Sequence, residues 1–87
     1  MIAGETNDEA LGLSALGWAL SDDARASRFL ALTGLTPEGL RAALSERSTL
    51  AAVLRFLEAH EPDLVGCAAD LRIDPAEIPA ARVRLEG

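Results

Sequence analysis

The residues best suited to chemistry in this chain are few and far apart. His60 and Cys67 are the sole members of their types. A proline break at Pro62 separates them, so a thiolate–imidazole pair would form only if two helices brought them together. Cys67 lies beside an apolar stripe of Leu64, Ala68 and Leu71, which predicts a buried, inert thiol. His60, next to Glu61 at a helix end, is expected to meet terminal carbonyls or solvent rather than a metal. A metal site would have to join His60 to Glu58, Glu61 or Asp63, and none of these stands at a recognised ligand spacing. Asp22 and Asp23 could serve as a carboxylate pair, but two acids in a first helical turn already have a capping role. The scattered glycines match no phosphate-binding pattern. The expectation is therefore a protein that is not an enzyme, with no catalytic residue, no metal and no cofactor.

A second kind of chemistry, reading a nucleic acid, is invited by "TGLTPEGL", Thr33 to Leu40. A helix over Ala24–Thr33, a turn at Gly34 and a helix over Pro37–Leu44 have helix-turn-helix spacing. The second of these offers Glu38, Gly39, Arg41 and Ala42 outward, one positive charge beside one negative. The net charge is -6, with fourteen acids against eight bases, so the electrostatic term behind most nonspecific affinity is missing. Arg25 and Arg28 share one helical face, and Arg82 and Arg84 lie near the end; all four are expected to be solvated or paired. Nucleic-acid binding is thus unfavoured, and a DNA-binding regulator that uses Arg41, Arg25 and Arg28 stands as the alternative function.

The elements that must carry these residues are helices. Alanine and leucine dominate, hydrophobic residues make up 49% of the chain and aromatics 3%, and β-branched residues are scarce. Residues 1–87 are read as a single all-α domain, a compact bundle or orthogonal array of five to six short helices. Residues 1–6 are expected to be a disordered N-terminus. Thr6 and Glu9 have capping-box spacing, which starts a first helix near Asn7 and carries it to Leu20. Ser21 is the next expected N-cap. Gly34 stops the second helix, whose inward face holds Ala26, Phe29, Leu30 and Thr33. Thr36 caps a third helix with Pro37 in its first position, and Leu35 and Leu40 have the spacing of a hydrophobic staple. The same grammar recurs at Ile73, Asp74, Pro75, Glu77 and Ile78. Between them Ser48 is expected to cap a helix with Leu50, Val53, Leu54 and Leu57 buried. Glu61 marks a boundary before Pro62, and a shorter helix runs to about Arg72. Pro79 falls too far into a helix begun at Pro75, which leaves the last element either kinked or restarted there.

The first helix is apolar on two faces. At roughly 100° per residue Leu13, Leu16 and Leu20 share one side, while Leu11, Ala15 and Trp18 lie nearly opposite. Either the others wrap it, or Leu11, Ala15 and Trp18 form a contact strip for a protein partner or a homodimer, with Trp18 as the aromatic anchor. Trp18, Phe29 and Phe56 are the only aromatics, and an aromatic-poor core could use all three. The favoured function is a noncatalytic protein-interaction module.

The location expected is the cytoplasm. The opening "MIAGETNDEA" has acids and no basic cluster, unlike a secretory signal. The uncharged stretch Ala10–Ser21 is too short to span a bilayer, and the acidic or neutral helices do not suit a membrane surface. One cysteine makes no internal disulfide. Every basic residue is arginine, which with abundant alanine suggests a GC-rich bacterial genome.

"ALGWALSDDARASRFLALTGLTPEGLRAAL" and "LAAVLRFLEAHEPDLVGCAADLRIDPAEI" resemble an uncharacterised alphaproteobacterial family of short all-helical proteins, a domain of unknown function. The likeness runs from about Ala10 to Ala81, with "RFLALTGLTPEGLR" and "FLEAHEPDL" its most distinctive pieces. It implies an all-helical cytoplasmic domain and assigns no activity, ligand or catalytic residue.

Overall fold

A computed structural model describes the backbone of residues 3–87 and the side chains from Asp8 onward. Six helices account for the secondary structure of these residues: α1 (Ala3–Leu20), α2 (Asp23–Thr33), α3 (Pro37–Ala42), α4 (Arg47–Glu58), α5 (Glu61–Leu71) and α6 (Glu77–Glu86). The radius of gyration, 12.0 Å, matches the roughly 12 Å of a close-packed chain of this length.

The local signals placed most boundaries. Gly34 adopts the left-handed conformation (φ 75°) after α2, and its N–H donates to the Leu30 carbonyl. Thr36 Oγ1 accepts from the Gly39 N–H at 3.0 Å, with Pro37 in the first turn of α3. Leu40 is buried and Leu35 packs on the same core, as the staple requires.

Several expectations are corrected. α1 begins at Ala3 rather than near Asn7, so residues 3–6 belong to a helix; Met1, Ile2 and the Thr6 side chain lie outside the described residues. The cap of α2 is Asp22, whose carboxylate accepts from the Arg25 N–H, and not Ser21. Ser48 lies inside α4, which follows Glu46 without a side-chain cap bond. Pro79 neither kinks nor restarts the last helix. The chain from Asp74 to Ile78 makes tight i→i+3 turns, Glu77 N–H to Asp74 O and Ile78 N–H to Pro75 O, and α6 begins only at Glu77. Pro79 then sits in its first turn, where a missing N–H costs nothing. The cap expected at Asp74 is displaced: α6 follows Ala76 without a side-chain cap bond, and Asp74 Oδ1 accepts from the Ala76 N–H and Glu77 Oε2 from the Asp74 N–H within the turn before it.

α5 ends on Arg72, the one non-glycine residue with positive φ (61°) among the described residues. Its N–H donates to Ala69 O and that of Ile73 to Ala68 O, the bond pair of a Schellman motif. A side chain in the left-handed region costs about 1–2 kcal/mol, partly offset by the extra freedom glycine has when unfolded. Arg72→Gly should therefore raise the unfolding free energy by about 0.5–1 kcal/mol in urea denaturation.

The centre of the fold is α4, which packs against α6, α1, α5 and α2. Leu50, Val53, Leu54 and Leu57 are all essentially solvent-free, as the stripe predicted. Phe29 and Phe56 meet edge to face across α2 and α4, with ring centroids 5.3 Å apart at 81°. α1 lies on α4 through Gly12, Ala15, Leu16 and Ala19, all buried. A Cβ on Gly12 would come within 2.9 Å of Leu50 Cβ, so the two helices meet where only glycine fits.

Candidate functional site

That close approach decides how α1 is rotated, and the expected contact strip is turned inward as a result. Ala15 is fully buried, and Leu11 and Trp18 are partly buried against the core. The Trp18 indole lies over Gly66 of α5, where an added Cβ would stand 3.2 Å from Cζ2. Its Nε1 donates to Asp70 Oδ2 at 2.6 Å, and the Arg25 guanidinium stacks 3.7 Å from the ring centroid. Arg25 Nη2 also donates to Trp18 O and Ser21 Oγ. Trp18 thus ties α1 to α2 and α5, and Leu11, Ala15 and Trp18 do not form an exposed strip. The outward leucines of α1 are Leu13 and Leu20, on the side they share with Leu16.

The charged residues are drawn into similar ties. Asp63, on the first turn of α5, is buried and accepts from Arg28 of α2, with His60 Nδ1 3.0 Å from the same oxygen. Arg84 donates through Nε and Nη2 to the Asp8 carboxylate at 2.8 and 2.9 Å, which holds that carboxyl below its ordinary pKa. Arg82 bridges Glu58 and Glu86, Arg55 pairs with Glu86, and Arg47 reaches the carbonyls of Arg84 and Leu85. Of the arginines among the described residues, Arg41 and Arg72 have no such side-chain partner. α3 is six residues long, little more than one and a half turns, so a groove-reading helix would be short.

His60 precedes the first turn of α5 and Cys67 lies well inside the helix, about 10 Å further along the axis at 1.5 Å per residue. Cys67 is buried, and desolvation, reinforced by Asp70, pushes its thiol up to about 11. The fold accommodates the neutral thiol. Its contribution to stability is full below the pKa of the unfolded thiol and is lost as pH rises through about 11. Near neutral pH, iodoacetamide should label Cys67 at least roughly 100-fold more slowly in the native protein than in urea, as followed by mass spectrometry. Among the described residues no cluster of His, Cys, Asp and Glu could hold a metal ion. No helix among them is long and apolar enough to cross a membrane.

An apolar concavity lies elsewhere. A groove of about 480 Å³ opens between the C-terminal end of α2 and the length of α4, lined chiefly by Leu32, Leu35, Ala52, Arg55, Phe56 and Ala59. The aromatic pair sets the spacing of the two helices, and the small Ser48, Ala52 and Ala59 leave the space beside it unfilled. The rim is held by local bonds: Thr33 Oγ1 donates to Phe29 O at 2.8 Å and accepts from the Leu35 N–H at 3.3 Å. Leu32 projects at the edge and is 70% exposed. The sequence reading missed this site. Its available signal was Leu32 itself, an apolar residue off the Phe29–Leu30–Thr33 stripe, though a single exposed leucine is ordinary.

A family model described as a protein of unknown function, DUF3572, matches residues 5–87. No curated protein and no solved structure matches the chain.

Proposed function

Because the chain belongs to the DUF3572 family, whose function is unknown, we infer from its surface that it is a noncatalytic protein-interaction module. Its α2–α4 groove takes the apolar face of a partner helix. The observation that carries this is the groove itself, open, apolar, and edged by a leucine the fold leaves in water. A second helix laid between two helices is a recurrent recognition mode, with small residues on the floor for close approach and large ones at the rim. The inert Cys67 and the tethered His60 support a noncatalytic role. A GC-rich, bacterial genome is supported by the exclusive use of arginine for positive charge, while the alphaproteobacterial and cytoplasmic setting rests on the resemblance. Duplex binding would require Arg25 and Arg28 to leave Trp18 and Asp63, with Arg41 the one arginine of that reading left unpaired among the described residues.

Tagged wild-type and Leu32→Asp proteins should be compared as baits in lysate treated with nuclease. The exposed position lets the variant fold. A protein held by the wild type and lost from Leu32→Asp, whose isolated helix then binds the pure domain, supports the groove. Equal capture by both baits, or no capture by either, overturns it.

A further inference from the structure

The outer face of α1 carries Ala10, Leu13, Gly17 and Leu20, all exposed. Their spacing of three, four and three residues sets them in one seam. Leu13 and Leu20 are 47% and 38% exposed, and no charged residue interrupts the helix from Ala10 to Ser21. Gly17 is the telling member. Glycine weakens a helix interior, and Gly12 is required by Leu50 of α4. An added Cβ on Gly17, by contrast, would meet nothing within 4 Å. Among the described residues nothing calls for glycine there, which leaves room for something that approaches α1 from outside.

We propose that this something is a second copy of the chain, packed with α1 antiparallel to α1 about a two-fold axis. In that arrangement positions whose numbers sum to thirty face each other. Leu13 then enters the gap above the partner's Gly17, and Leu20 the gap above the partner's Ala10. Large meets small at every step, and the surface is complementary to itself, as an isologous contact must be. A parallel pair would instead set leucine on leucine and glycine on glycine.

The charges agree. Arg41 borders the same hollow as Leu20 and has no side-chain partner among the described residues. Glu9, half-exposed, adjoins Ala10 at the other end of the seam and makes one long ion pair with Arg47 of its own chain, at 3.6 Å. The antiparallel pairing brings each Arg41 end to the partner's Glu9 end, whereas a parallel one would set like charges together. The seam is about 15 Å long at 1.5 Å per residue and one helix wide, below the roughly 800 Å² per partner of a standard interface. The dimer is accordingly a weak one.

Sedimentation equilibrium over a loading series up to about 1 mM should show the 9.1 kDa chain rising toward twice that mass. Leu13→Asp, folded by circular dichroism, should remain monomeric throughout, while the groove variant Leu32→Asp should dimerise like wild type. Orientation is read by oxidation. Residues 20 of an antiparallel pair lie about 15 Å apart along the axes, too far for a disulfide. Leu20→Cys alone should therefore stay uncrosslinked, and the Ala10→Cys/Leu20→Cys double variant should link two copies. A wild-type monomer across the whole series, a dimer indifferent to Leu13→Asp, or Leu20→Cys linking as readily as the double variant would overturn the proposal.

Discussion

Phe29→Ala should lower the unfolding free energy by about 3–5 kcal/mol, a large fraction of the 5–15 kcal/mol typical of a small domain. Phe29 is fully buried, and its truncation removes apolar contacts and leaves a cavity that its neighbours fill only in part. The edge-to-face contact with Phe56 adds about 0.5–1.5 kcal/mol beyond the buried area. α2 packs on α4 sparsely compared with α1 or α6, so this ring is its main anchor there. The groove should loosen with it. Urea denaturation followed by circular dichroism should show a lower midpoint with an unchanged slope. Leu32→Ala, three residues after the anchor and largely in water, should stay within about 0.5 kcal/mol of wild type.

The second large effect is a contrast between two glycines of one helix. Gly12→Leu and Gly17→Leu make the same chemical change in α1, and helix propensity alone favours both by nearly 1 kcal/mol. At Gly12 the added Cβ would stand 2.9 Å from Leu50 Cβ, a backbone-fixed atom that no rotamer can move aside. α1 must lift off α4, at a cost of about 1–3 kcal/mol for overpacking and more for a branched side chain. Gly12→Leu should therefore destabilise by about 2 kcal/mol or more, roughly 10 °C in melting temperature. At Gly17 no atom of the chain stands within 4 Å, and in dilute solution Gly17→Leu should stabilise by somewhat under 1 kcal/mol. Thermal melts of both at one low concentration make the comparison; equal shifts would mean that α1 does not rest on α4 as described.

The contrast also marks where sequence reading stopped. The turn "TGLTPEGL" was legible because a cap is settled by backbone groups within a few residues. Gly34, Thr36 and Pro37 carry their conformational preferences with them, and the α4 stripe of Leu50, Val53, Leu54 and Leu57 repeats with the helical period. Ser48 misled because a serine is a good cap wherever it stands, while α4 starts two residues earlier, at Arg47, and presents Thr49 and Leu50 to the core. Pro79 was ambiguous because the proline's tolerance depends on where its helix begins, which the tight turns after Asp74 decided.

The sequence by itself determined several local matters well: an all-helical chain, where most helices stop, which stripe of α4 is buried and a buried thiol. Which face of α1 turns inward was decided by the tertiary structure alone. Hydrophobicity points both ways on that helix, so shape chose: Gly12, Ala15 and Ala19 let α1 approach α4, and the leucines at 13 and 20 were left outside. The groove beside Leu32 has the same origin. It exists because two aromatic rings, Phe29 and Phe56, come together from residues 27 apart, and no local pattern records the space they leave beside them.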